Sequence, residues 1–289
     1  MSKKHFLALP VTGDTFAEVR EKNRYYVDKT PYLKAVFSED EAVDDKSLID
    51  GTTVLLLTRP RRFGKTLLMN MFESFLNINY EKPGDTTIHQ SYFKDTKIFE
   101  EQKFCKKYMG QFPVISITLK DVLGDDFESA YLKLAEVVSA KANEFSFLKE
   151  SPYLNEMEKA KFNLLCDEIY LKKADKQAIS YVTSAIKSLS LMLYKHFNKQ
   201  VYILIDEYDV PLAKAQEHGY HKDMVTLMTS FLGFLKDPQK DPEKKTSIIS
   251  KVVITGCLKV AKNSIFTGVN NLKVNTVTSK IDKYTGMIG

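Results

Sequence analysis

Several stretches of this chain are apolar without interruption, as a strand covered on both faces of a parallel sheet requires. The clearest are residues 53–58, where Val54, Leu55, Leu56 and Leu57 follow one another, and VYILI at 201–205. FPVISITL at 112–119, VVIT at 252–255 and LKVNTV at 272–277 are shorter or more polar, but rich in β-branched residues. Between these runs the period changes. After Thr66, the positions Leu67, Leu68, Met71, Phe72, Phe75 and Leu76 recur at helical spacing and leave Asn70, Glu73 and Asn77 on the other side. The pattern also predicts helices over 14–23 and 30–37, with Asp14 and Thr30 as N-caps, and over 126–148, 178–197 and 222–236. Residues 149–176 are charge-dense and read as a helical insertion, 38–51 as acidic surface, and DPQKDPEKKTS at 237–247 as an exposed loop.

Alternating strands and helices predict an α/β fold with right-handed crossovers and a site at the carboxyl edge of the sheet. Two strand ends carry candidate chemistry. TVLLLTRPRRFGKT at 53–66 runs a strand into Gly64-Lys65-Thr66 and on into a helix. In a P-loop, backbone N–H groups surround the phosphates, a Lys adds positive charge and a Ser or Thr holds Mg²⁺. Three of the four defining positions match, and Arg59 stands where the first Gly would be. Without the strand and helix around it, the same string is an ordinary basic turn. The second end is VYILIDEYD at 201–209, whose two adjacent acids reach the sheet edge. There Asp206 would act on Mg²⁺ held by the Thr66 hydroxyl, and Glu207 would orient or deprotonate the attacking water. A third strand end, Thr255 before Gly256, is a candidate γ-phosphate sensor or simple turn chemistry.

If the acid pair belongs to the class with a catalytic Glu just after the Mg²⁺ Asp, the Thr255 strand lies between the other two. The expected fold is then a P-loop NTPase with a parallel five-stranded sheet in the order 5-1-4-3-2. Residues 1–50 form an N-terminal helical segment packing on a core of 51–289. The catalytic set is Lys65, Asp206, Glu207 and Thr255; the nucleotide-binding set is Arg61, Arg62, Phe63, Gly64, Lys65, Thr66 and Leu67; the metal pair is Thr66 and Asp206. Arg61 and Arg62 have three readings: phosphate contacts, reach toward a neighbouring subunit or nucleic acid, or solvated charges at a loop tip. Tyr26 and Val27 are candidates for part of an adenine pocket, and Lys262, Asn263, Ser264, Asn270 and Asn271 for a polar switch or partner surface.

Composition narrows the class rather than the chemistry. At 289 residues and 44% hydrophobic content the chain can bury a sizeable core. With 42 basic and 37 acidic residues, charge makes no strong case for nucleic acid. Cys105, Cys166 and Cys257 are widely spaced, which indicates neither a disulfide framework nor a zinc site and points to a reducing, cytoplasmic compartment. His218 and His221 read as a loop around Gly219 rather than a ligand pair. FLAL before Pro10 is too short for a secretory signal, and no run approaches a membrane helix.

YYVDKT at 25–30, LLTRPRRFGKTLLMNM at 56–71, FPVISITLKDV at 112–122, VYILIDEYDVPL at 201–212 and ITGCLKVAKNSIFTGVNNL at 254–272 together resemble the bacterial and archaeal AAA-ATPase-like family. The resemblance covers nearly the whole chain, and Arg at the first-Gly position is usual in that family. It implies an ATP-binding P-loop domain, often followed in relatives by a nuclease domain of the PD-(D/E)xK type. Because this chain ends at Gly289, soon after the last predicted strand, no such C-terminal nuclease domain is expected within it. The implied activity is Mg²⁺-dependent hydrolysis of ATP to ADP and phosphate, driving a conformational change. The alternative is a nucleotide-dependent switch with negligible hydrolysis, acting with nucleic acid or a partner protein.

Overall fold

In the computed structural model, the structure describes residues 8–11, 13–38, 54–60, 62–236, 239–257, 265–266, 268–269 and 272–275. The chain divides into two compact units: Met1–Gly51, Arg62–Phe112 and Val277–Gly289 form one, and Thr52–Arg61 with Pro113–Thr276 the other.

The first unit is helical and held by aromatic side chains. Helix α1 (Phe16–Glu21) starts at Thr15, whose side chain accepts from the Glu18 N–H while the Glu18 carboxylate accepts in return, a reciprocal capping box. Asp14 is therefore not the cap; its carboxylate accepts the Val11 N–H and pairs with Arg24, because Thr15 is one residue nearer the helix and has Glu18 at the required spacing. Helix α2 (Pro31–Phe37) begins after Thr30 with Pro in its first turn, and Thr30 makes no side-chain cap. Helix α3 (Lys65–Leu76) follows, then the shorter α4 (Thr87–Phe93), α5 (Lys97–Glu100) and α6 (Gln102–Tyr108). Phe16 and Phe75 both meet Phe93, at 5.0 and 5.1 Å between centroids, and Phe37 meets Phe72 at 5.1 Å. Edge and tilted pairs of this kind each contribute about 0.5–1.5 kcal/mol beyond area burial. On α3, Met71, Phe72, Phe75 and Leu76 are buried as predicted, whereas Leu67 and Leu68 are only half-buried and Met69 is buried. The buried stripe passes through Met69, Phe72 and Leu76 at i, i+3 and i+7, which turns the first-turn leucines toward its margin.

The second unit is built on a sheet of β1 (Val54–Thr58), β2 (Val114–Thr118), β3 (Val201–Asp206), β4 (Ile249–Gly256) and β5 (Leu272–Asn275). Its order is β2-β3-β4-β1-β5 with all neighbours parallel, which is the predicted 5-1-4-3-2 order read from the other edge. Every residue of β1 and β3 is buried, which accounts for their unbroken apolar character. Flanking helices are α7 (Phe127–Glu144), α8 (Glu156–Cys166), α9 (Glu168–Leu171), α10 (Lys176–Phe197), α11 (Val210–Glu217) and α12 (His221–Phe231), with short 3-10 turns at Ser146–Glu150 and Gly233–Leu235. The longest, α10, starts at Asp175, whose carboxylate accepts the Ala178 N–H at 2.8 Å, and ends at Asn198 in the left-handed region. The predicted helix over 126–148 stops at Glu144, and that over 222–236 stops at Phe231, each handing over to a 3-10 turn.

Candidate functional site

The loop after β1 acquires its shape at two residues. Arg62 has φ 67° and Gly64 φ 70°, and both are left-handed; Arg59 carries no positive φ. A glycine is therefore needed at 64 and not at 59, which explains how Arg occupies the first-Gly position. Arg59 is used structurally: it is buried, its N–H donates to the Gly256 carbonyl at 3.1 Å and its guanidinium to the Thr58 carbonyl at 2.9 Å. A left-handed Arg62 costs roughly 1–2 kcal/mol, and such strain concentrates at ligand clamps. Arg61 and the polar group Lys262, Asn263, Ser264, Asn270 and Asn271 lie outside the described residues.

Gly64 is the N-cap of α3 and offers no side-chain acceptor to its first turn. A helix start of this kind lies at the positive end of the helix dipole, where an anion is favoured. Lys65 is 8% exposed, Thr66 is exposed, Phe63 is 47% exposed and Leu67 is half-buried. A Cβ at Gly64 would come 3.1 Å from the Lys29 Nζ, so a residue from YYVDKT lies directly against this loop. The sequence alone assigns Lys29 no role. Nothing local links positions 29 and 64; only the folding of this unit brings them together. Tyr26 beside it packs edge-on against Phe16 at 5.3 Å, and its hydroxyl donates to Met71 Sδ at 3.2 Å, while Val27 is 55% exposed.

In the sheet unit, β3 and β4 converge at their carboxyl ends. The Thr255 hydroxyl donates to Asp206 Oδ1, and both residues are buried. Thr255 is thus committed to the acid beside it. Glu207 follows in the left-handed region at φ 56°, which turns the backbone sharply between the two acids. Tyr208 N–H then donates to the Thr255 carbonyl at 3.1 Å, and Asp209 Oδ2 accepts the Cys257 N–H at 3.0 Å. Thr58, the last residue of β1, pairs with Gly256. The ends of β1, β4 and β3 are therefore tied side by side, with Thr255 on the strand between the loop strand and the Asp206 strand. His218 caps the end of α11 and lies 4.0 Å from Asp125, while His221 begins α12. Among the described residues no group of three His, Cys, Asp or Glu could hold a metal ion.

A family model described as "Predicted AAA-ATPase" matches residues 10–266. The chain belongs to the AAA-ATPase-like family. An "Uncharacterized protein in vnfD 5'region" of Azotobacter chroococcum mcd 1 is 23% identical to this AAA-ATPase-like chain over 287 residues. That stretch is 99% of this chain and 43% of the relative's length. No solved structure matches. Family membership supports nucleotide binding, and ATPase activity more weakly. Among the described residues, no helix is long and apolar enough to cross a membrane.

Proposed function

We propose that this chain binds ATP through the loop at 59–66 and hydrolyses it with Mg²⁺. The observation that carries the proposal is the loop itself: strand β1, a left-handed Gly64 without a side-chain cap, and a helix that starts at Lys65 and Thr66. A glycine at this position would let a phosphate approach the backbone N–H groups closely. Gly64, Lys65, Thr66 and Leu67 would surround the phosphates, with Arg61, Arg62 and Phe63 completing the loop. Thr66 and Asp206 would hold Mg²⁺, which when bound neutralises phosphate charge. Thr255 would fix the Asp206 carboxylate, and Glu207 would orient the attacking water and take its proton.

Steady-state phosphate release tests this, comparing wild type with Glu207→Gln. The variant should bind ATP normally and turn over about 100-fold more slowly or worse, the usual contribution of a general base. Equal inertness of both proteins while each binds ATP would leave a nucleotide-dependent switch instead of an enzyme. Absence of ATP binding in wild type would remove both readings.

A further inference from the structure

The segment carrying Lys29 is fastened before and after that residue. Asp28 Oδ1 accepts the Thr30 N–H at 2.9 Å and hydroxyl at 2.7 Å, and its Oδ2 accepts the Lys97 N–H at 2.8 Å. The Lys29 N–H donates to the Tyr26 hydroxyl at 3.1 Å, and that hydroxyl donates in turn to Met71 on α3. Asp28 is thus turned away from its neighbour, and no carboxylate among the described residues forms an ion pair with Lys29. The Lys29 ammonium instead folds over the loop, donating to the Phe63 carbonyl at 3.5 Å, next to Gly64. It is half-buried there, and burial holds its pKa below the ordinary lysine value. An ammonium has three donors, so the Phe63 carbonyl leaves two for another acceptor. A half-buried cation that no described carboxylate pairs with, beside the N-terminus of a helix, is the complement of an anion.

We propose that Lys29 is a second lysine contacting the nucleotide's phosphates, supplied to the site from outside the phosphate loop. The inference rests on the ATP reading above. A charge-assisted hydrogen bond from Lys29 to a phosphate oxygen would be added to those of Lys65 and of the loop backbone. The competing role is structural, with Lys29 only fastening the Phe63 carbonyl.

ATP affinity measured by calorimetry on wild type, Lys29→Met, Lys29→Arg and Lys65→Ala separates these roles. Lys29→Met should bind ATP about 10- to 100-fold more weakly, the range for losing a hydrogen bond to a charged group. Its nucleotide-free melting temperature should be close to wild type, and Lys29→Arg should recover part of the affinity. On wild type itself, ATP should reduce acetylation of the Lys29 amine, read by mass spectrometry; a lysine that only fastens the loop would be acetylated equally with and without ATP. This second measurement decides the matter if Lys29→Met does not fold. Lost affinity in Lys65→Ala with unchanged affinity in Lys29→Met and no protection by ATP would overturn the role of Lys29 and leave the phosphate loop standing. If wild type binds no ATP, the nucleotide reading falls and this inference with it.

Discussion

Gly256 shows how closely the strand ends are packed. It closes β4, pairs with Thr58 and accepts the Arg59 N–H, so its backbone has no room to withdraw. A Cβ there would stand 2.5 Å from Tyr208 Cε1 and 2.7 Å from Asp209 Oδ1. Both obstacles are themselves held. Tyr208 is fully buried and meets Phe266 at 5.3 Å, and Asp209 is fixed by the Cys257 N–H. One methyl group therefore forces either the tyrosine ring or the acid-bearing turn to move. Gly256→Ala should destabilise the protein by about 1–3 kcal/mol, as overpacking of a buried site does. The check is the urea midpoint, and an unchanged midpoint would mean that the turn after Glu207 yields freely. Because that turn carries Glu207 and Asp209, phosphate release in the same variant should fall as well.

At the scale of elements, His89 on α4 offers a stability test independent of nucleotide. Its Nε2 lies 2.7 Å from the Asn77 carbonyl and so donates to it, while the buried Nδ1 has no partner. Burial pushes the imidazole pKa below its ordinary value of 6.5, opposed by the Asn77 hydrogen bond and by Asp85. The folded protein then binds fewer protons than the unfolded chain just below pH 6.5. Stability is full above the unfolded pKa and declines as pH falls from there toward the lowered folded value. The slope from this group is at most about 1.4 kcal/mol per pH unit, the one-proton limit. His89→Gln keeps a donor for Asn77 and removes the titration, so chemical denaturation between pH 7 and 5 should give a shallower acid loss than wild type. Parallel curves would show that His89 is not protonated on unfolding. This part of the chain was hard to read in advance. Helices α4, α5 and α6 span four to seven residues each and never repeat an apolar position over enough turns to declare a period. Strands β1 and β3 and helix α10 were legible because full burial, or a long amphipathic stripe, leaves a continuous mark in the sequence. The placement of Gly64-Lys65-Thr66 and of Asp206-Glu207 after buried strands was legible because each is contiguous. Lys29 was not, since its relation to Gly64 exists only after α1, α2 and α3 have packed.

For the whole molecule, the sheet order has a chemical consequence. Placing β4 between β1 and β3 puts the Thr255 hydroxyl on Asp206, which holds that carboxyl group in one orientation. If the oriented Asp206 acts on the metal as proposed, nucleotide binding should depend on magnesium through this residue. A ligand that binds only the folded state at 100 times its dissociation constant stabilises by about 2.7 kcal/mol. For a chain of this size that is a melting shift of roughly 5–10 °C. Wild type should therefore melt higher with ATP and Mg²⁺ than with ATP and EDTA. Thr66→Ala and Asp206→Asn should each remove most of the difference between those two conditions. If both residues act on one ion, the double variant should lose little more than either single one, since the second substitution finds the interaction already gone. A full magnesium-dependent shift retained in Asp206→Asn would mean that the acid closing β3 serves the sheet edge and not the metal, and the hydrolytic role of Glu207 beside it would lose its footing.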